Sequence, residues 1–443
     1  MTQVDFSHIA VKTPPNPSKW NIIPIHSSDR AAFKFCRRKW AWSSPARMNL
    51  IPRTQVYGVQ ENLWFGTGIH HALERYYNPG IREHPAIAFA TWFELQWRGG
   101  IVSEHEVKEF ADREPSLRPD GSYRVLGLCD ILDSEEKKET VLAHKELGEG
   151  MMNYYVPYAE EHDNFSVISV EHDFSVPVLS PDGEPLYWID NREMPEGWEP
   201  NFDEGNEFGP YMKKEWTDYT QGSVHTIKKQ VHVRGRMDVI VQDQEHGRYG
   251  IRDYKTAARI DDSYFRHLDL DEQCTSYLSF GQLEARIHQL EYTSLEYIDY
   301  VALLKAYPKP PTFTSRGLPS LDRQKESTTA KMFEEAVLSQ PHLKAIFSAD
   351  EKMQNYYTWL LNQGDDRFIN IQPTWRNSTQ RKNAALRLYY EAIDMLNNPV
   401  AYPNPSKNYS CLNCIFRTPC LAAEDGSDYL AILEDGYMPN WDR

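Results

Sequence analysis

Four short segments, far apart in the chain, constrain it more than its composition does. They are Gly66-Thr67-Gly68-Ile69-His70, Gly235-Arg236-Met237-Asp238, Asp253-Tyr254-Lys255 and the pair Gln273 and Tyr277. Each falls on a readable element. Ile69, Ala72, Leu73 and Tyr76 recur at helical spacing, which predicts a helix from about Thr67 to Asn78, ended by Pro79 and Gly80. His70 and Glu74 are one turn apart and share a face of it. Residues 165–178 read as a strand carrying Glu171. In the next strand, alternation places Val231, Val233, Met237, Val239 and Val241 on one face, and Arg234, Arg236 and Asp238 on the other. A hairpin turn over Gln242–Gly247 leads to the strand Tyr249–Lys255, where a period of two puts Asp253 and Lys255 on one side. A helix beginning near Asp269 or Asp271 carries Gln273 and Tyr277. Elsewhere a helix capped by Ser28 or Asp29 is expected to run through Cys36 to about Trp42, residues 81–164 read as mostly helical, and helices recur at about 329–339, 350–362 and 378–397. The pattern predicts one sheet on which a histidine, two carboxylates and a lysine converge.

Those residue types suit one chemistry. Asp238 and Asp253 on neighbouring strands supply oxygen ligands for a hard divalent cation, and the Tyr254 carbonyl is a further candidate ligand. His70 adds a nitrogen donor, which admits manganese as well as magnesium. Lys255 can position or deprotonate a water, or neutralise charge on a phosphate. Metal-assisted phosphodiester hydrolysis needs these parts. Taken singly, each has a bland reading: Asp-x-Lys as an exposed ion pair, the histidine as structural, Gln-x-x-x-Tyr as nothing. Their order and their placement on strands and helices carry the functional reading.

In that order the segments resemble the PD-(D/E)XK nuclease superfamily, in its RecB-like branch. Gly66 to His70 matches the branch's Gly-Thr-x-x-His helix, with Glu74 following. Gly235 to Asp238 matches its Gly-x-x-Asp strand, Asp253 to Lys255 its (Asp/Glu)-x-Lys strand, and Gln273 to Tyr277 its Gln-x-x-x-Tyr helix. Glu171 is similar to a glutamate on the preceding strand. The resemblance implies an α/β fold, a mixed sheet flanked by helices, with helical N- and C-terminal regions joined by a four-cysteine cluster. It implies catalytic roles for His70, Glu171, Asp238, Asp253, Lys255, Gln273 and Tyr277. Mg2+ or Mn2+ would be held by His70, Asp238, Asp253 and Tyr254. The chain also resembles the exonucleases of CRISPR adaptation and their bacteriophage relatives. The implied substrate is DNA, single-stranded or with free ends, and the implied partners are a helicase, a recombination protein or a CRISPR-adaptation protein. There is no Gly-x4-Gly-Lys-Ser/Thr spacing, so any motor is expected on a separate partner. Two features depart from the pattern: a long insertion at 180–221 and an acidic balance.

Cys411, Cys414 and Cys420 lie close together near the end, and Cys36 lies near the start. The trio alone fits half of a zinc site or most of an iron–sulfur site. One cysteine before the histidine motif and three after the core is the arrangement of the iron–sulfur members of the branch. The resemblance thus implies a [4Fe–4S] cluster on Cys36, Cys411, Cys414 and Cys420, with Zn2+ as the alternative. Cys129 and Cys274 read as small buried hydrophobes.

The chain of 443 residues carries 48 basic and 64 acidic residues, a net charge of −16, which argues against coating nucleic acid by bulk charge. Local basic groups beside the motifs are the candidate DNA contacts: Arg234, Arg236, Arg37 and Arg38. No apolar run approaches the roughly 20 residues that cross a bilayer, and the N-terminus lacks the regions of a signal peptide, so a soluble cytoplasmic protein is expected. The expected organisation is an arm (1–27), a nuclease core (28–305), a linker (306–328), a helical region bearing the cysteines (329–425) and an acidic tail (426–443). An oligomer is compatible with this plan. Two other functions fit parts of the sequence: a structure-specific or nicking endonuclease with the same site, and a non-catalytic, zinc-stapled nucleic-acid scaffold.

Overall fold

The computed structural model describes residues 22–44, 47–52, 61–103, 106, 110, 115–132, 134–190, 198–200, 211–213, 227–261, 263–323, 325–364, 367–397, 402–404 and 409–439. Most of the expected N-terminal arm and much of the 180–221 insertion fall outside these residues.

A seven-stranded mixed sheet organises the chain, as the resemblance implied. Its strands are β1 (Ile22–Ile25), β2 (Phe165–Pro177), β3 (Tyr187–Asp190), β4 (Ile227–Asp243), β5 (Tyr249–Ala257), β6 (Leu295–Leu304) and β7 (Ile369–Trp375). The long β4 is the spine. One of its edges takes β3 and then β2, both antiparallel. Its other edge takes β1, parallel, at Gln230–Val233 and β5, antiparallel, at Val239–Gln242. On that edge nothing among the described strands pairs with residues 234–238, so the sheet opens at the Gly235–Asp238 segment. Beyond it β5 runs parallel to β6, and β6 antiparallel to β7. β7 lies between stretches that read as helical. Its Pro373 weakens a strand pattern, and it is tolerated because β7 is an edge strand.

Helices cover both faces. One face packs against α1 (Ser27–Phe35) and α2 (Arg37–Ser43), where a single helix was expected. The extended backbone of Cys36 (φ −158°, ψ 116°) divides them. The opposite face packs against α3 (Glu61–Tyr77), α4 (Pro85–Arg98) and α5 (Glu135–His162). Between α4 and α5 the chain adds a small sheet of Gly99–Val102, Tyr123–Leu126 and Ser116–Leu117 inside a stretch that read as mostly helical. The first face also carries a broken helix: α6 (Glu272–Ser276), a π-turn over Tyr277–Gly281, and α7 (Gln282–Ile287). Three helices, α8 (Ala330–Leu338), α9 (Pro341–Ala349) and α10 (Glu351–Gln363), share a separate small core around Phe333 and Tyr356. α11 (Ser378–Asn397) returns to the first face through Leu388 and Ala392.

The described C-terminal elements return to the N-terminal region. α12 (Arg417–Asp425) and α13 (Tyr429–Gly436) precede a strand, Tyr437–Pro439, that pairs with Leu50–Pro52. Trp42 packs there with Phe416, Leu433 and Tyr437. No helix among the described residues is long and apolar enough to cross a membrane.

Candidate active site

The site lies where the sheet forks. The β4–β5 ladder ends at Val239 opposite Arg252, and the next pair in that register would be Asp238 and Asp253. The Tyr254 N–H, free of the ladder, donates to Asp238 Oδ2 at 2.8 Å. On the other edge of β4 the pairing with β2 passes from Met237–His172 to Val239–Val170 and omits Asp238 and Glu171. Glu171 adopts φ +45°, a left-handed backbone that costs a residue with a Cβ about 1–2 kcal/mol. This irregularity breaks the alternation of the strand. Val231, Val233 and Met237 lie in one core, Val239 and Val241 in the other, and Ile240 joins the first. The single face expected for all five residues is therefore corrected, because the kink that exposes Asp238 and Glu171 to a common space reverses the parity.

α3 brings the histidine. Its Gly68 lies against α4 so closely that a Cβ there would be 2.4 Å from Trp92 and 2.8 Å from Phe89. Two residues on, His70 Nδ1 lies 3.3 Å from Asp238 Oδ2. His70, Glu171 and Asp238 each present one ligand atom within 4.8 Å of the others. Asp253 adjoins this group with 1% exposure. Lys255 Nζ sits 2.7 Å from Asp253 Oδ2, yet neither Asp253 oxygen has a well-directed hydrogen bond. A buried carboxylate whose near donor among the described residues is the Lys255 ammonium, beside an imidazole and two more carboxylates, fits a divalent cation. The tightest set contains Glu171, which the resemblance placed in catalysis but not among the metal ligands.

Charge coupling dominates the site. Burial, reinforced by Asp238, pushes Glu171 up to about 8. Burial and Asp238 raise Asp253 to about 6 although Lys255 opposes them. Burial opposes ionisation of Asp238 too, but His70 and Lys255 outweigh it and its pKa falls. Burial works against the His70 cation, yet the charge and hydrogen bond of Asp238 raise its pKa. Lys255 is raised because Asp253 and Asp238 overcome its burial.

The Gln273 amide donates to the Tyr277 hydroxyl at 2.7 Å, and burial and Asp253 raise the Tyr277 pKa. A Cβ on Gly235 would be 2.6 Å from Phe174 and 3.1 Å from Tyr277, so glycine lets that helix settle against β4. Arg234 and Arg236 are exposed on β4. Arg236 binds both oxygens of Asp173, at 2.7 and 3.2 Å, and lies 3.6 Å from Glu171.

Arg37 and Arg38 are engaged elsewhere. Arg37 lies over the rings of Phe33 and Tyr402, and Arg38 binds Glu424 at 2.7 Å. Arg38 Nη1 also reaches Cys420 Sγ at 3.4 Å. Cys36, at the α1–α2 break, and Cys420 both act on the charge of Cys414, whose pKa is raised chiefly by burial. None of the four cysteines forms a disulfide among the described residues.

A network behind the site was not legible in the sequence. The Tyr254 side chain turns away from the carboxylates and its hydroxyl lies 3.0 Å from that of Tyr155. Tyr77 and Arg252 both bind Asp163, at 2.5 and 2.6 Å, which braces β5 against α3 and α5. Isolated tyrosines and a lone arginine leave no spacing signal.

Fold and site together define a metal-dependent nuclease of the α/β class. The sequence profile of the PD-(D/E)XK nuclease superfamily matches residues 28–421, and the chain belongs to that superfamily. No curated protein matches it.

Proposed function

We propose that this chain is a RecB-like DNA exonuclease that uses Mg2+ or Mn2+, acts on single-stranded ends and is stapled by a [4Fe–4S] cluster. The observation that carries the catalytic reading is the gathering of His70, Glu171 and Asp238 within 4.8 Å beside the donor-poor, buried Asp253. Asp238, Asp253, Glu171 and His70 would hold the cation, with the Tyr254 carbonyl as a further candidate. When bound, a divalent cation polarises a phosphoryl oxygen and makes water a better nucleophile. The raised pKa of Lys255 keeps it cationic near neutrality. That favours a role in neutralising charge on the phosphate over one as the base. Gln273 and Tyr277 border the same space and offer an amide and a phenol to the sugar, base or phosphate of an unstacked strand.

A recessed site in a chain of net charge −16 disfavours approach of intact duplex and favours a threaded end. Arg234 and Arg236 are the local cations nearest the β4 opening. For the cysteines, the Arg38 guanidinium against Cys420 and the action of Cys36 and Cys420 on the charge of Cys414 support an anionic four-thiolate cluster, with zinc as the alternative.

The test is cleavage of end-labelled linear single strands, linear duplex and closed circular duplex with Mg2+ or Mn2+. The proposal predicts progressive loss from ends, fastest on single strands. Linearisation of the closed circle at the rate of end digestion would assign an endonuclease instead.

A further inference from the structure

A second cavity, of about 400 Å3, lies between the end of β2, the broken helix and the first turns of α11. Its four charged lining residues are all basic: Arg286, Arg376, Arg381 and Lys382. That is an unusual concentration in a chain where acidic residues outnumber basic ones by 64 to 48.

Among the described residues, the two best-held cations have no acidic group as a direct partner. Arg376 is buried and donates to Thr275 Oγ1 at 2.8 Å, to the Trp375 carbonyl at 2.8 Å and to the Leu268 carbonyl. Arg381 donates to the carbonyls of Arg376 (3.1 Å), Leu278 (3.1 Å) and Leu295 (2.8 Å), and to the Gln282 side chain. All of these acceptors are uncharged. Burial and the neighbouring Arg286 lower the Arg381 pKa, with Glu296 the opposing charge. Repulsion of this kind is relieved by a bound anion, and guanidinium groups suit phosphate geometry.

The remainder of the lining is largely apolar, including Phe280, Leu283 and Leu388. An inorganic anion would leave that surface empty. The volume lies at the lower end of the range of about 300–1,000 Å3 typical of small-molecule pockets. A ligand with a phosphate at one end and a flat, weakly polar ring at the other satisfies both halves. The cavity is also joined to the catalytic helix: Arg376 holds Thr275 and Arg381 holds the Leu278 carbonyl in the π-turn that begins at Tyr277. Ser279, Leu283 and Arg286 form one stripe of that helix, and Gln273, Tyr277 and Gly281 another.

We infer that this cavity is a second, non-catalytic site for a nucleoside monophosphate, with the phosphate on Arg286, Arg381 and Lys382 and the base on the apolar wall. The inference rests on the proposed nuclease activity only for the ligand's identity as a released product.

The probe is 5′-deoxyadenosine monophosphate, titrated calorimetrically into full-length Asp253→Asn protein in EDTA, so that neither cleavage nor metal contributes. We expect saturable binding of one ligand per chain. Arg286→Glu and Lys382→Glu, on the rim, should each weaken it at least tenfold. Deoxyadenosine and inorganic phosphate should each bind at least tenfold more weakly than the nucleotide. No saturable binding, unchanged affinity in both variants, or inorganic phosphate binding as tightly as the nucleotide would each overturn the inference. The cleavage assay on unmutated protein reports separately on the nuclease reading, so the two can fail independently.

Discussion

Two glycines of the Gly66–His70 motif should respond in opposite ways to alanine. At Gly68 the added Cβ would lie 2.4 and 2.7 Å from Trp92 and 2.8 Å from Phe89. Carbon contacts are comfortable at about 3.5–4.0 Å, so α3 and α4 must part by about 1 Å or the rings must turn. Trp92 is 3% exposed and packs on Trp64 and Phe89 at centroid separations of 5.0 and 5.8 Å, so it has little room. Overpacking of this kind costs about 1–3 kcal/mol, and replacing a helical glycine with alanine returns about 1 kcal/mol. Two rings contacted below 3.0 Å place this site toward the costly end, giving a net loss of about 1–2 kcal/mol. His70 rides on the same helix, so its 3.3 Å approach to Asp238 opens by a similar displacement. A 1 Å misplacement of a working group can cost about a hundredfold in rate. At Gly66, by contrast, the nearest atom to an added Cβ is Thr256 Oγ1 at 3.6 Å, an ordinary contact. Urea unfolding and Mn2+-dependent cleavage should therefore show Gly68→Ala destabilised and slowed about 10- to 100-fold, with Gly66→Ala as stable as the parent or more so. Wild-type stability and rate in Gly68→Ala, or equal damage in both variants, would refute the packing argument.

Three further outcomes follow from the site. Burial and Asp238 hold Glu171 protonated up to about 8, and a cation must displace that proton. Mn2+ affinity measured calorimetrically should thus rise with pH, about tenfold per unit from 6 to 8, then level off, and Glu171→Gln should flatten the slope; a flat parent profile contradicts this. Lys255→Ala should slow single-turnover cleavage at least a hundredfold while Mn2+ affinity changes far less, and the reverse pattern would remove Lys255 from the phosphate. Anaerobically purified protein should contain about four irons per chain, and Cys36→Ser should lose both iron and thermal stability, whereas stoichiometric zinc without iron would contradict the cluster.

Much of this arrangement was legible because its elements have strong local signals. The period of β5 put Asp253 and Lys255 on one side, and the ion pair between them bears that out. The helical spacing around His70 predicted its helix, and Gln273 and Tyr277 fall one turn apart with their side chains bonded. What the sequence hid arises from tertiary geometry. Strict alternation could not reveal the parity change at Asp238, because the kink depends on Glu171 in a strand some 67 residues earlier in the chain. The π-turn after Ser276 has no compositional mark. Arg37 and Arg38, candidate DNA contacts by charge, also meet aromatic rings, Asp394, Glu424 and Cys420, partners that lie too far along the chain for spacing to show. The continuous α1–α2 helix failed at Cys36, where an extended residue turns the chain.

The most direct measurement is single-turnover cleavage of an end-labelled single strand by parent and Asp253→Asn proteins at saturating Mn2+. Asparagine keeps the size of the side chain but removes the charge from a buried group that lies 2.7 Å from Lys255 and lacks directed donors. The expected loss is at least about a thousandfold, roughly 4 kcal/mol in the barrier, with the protein still folded and still binding the strand. Retention of more than about a tenth of the parent rate, a barrier change below roughly 1.4 kcal/mol, would place the chemistry away from Asp253.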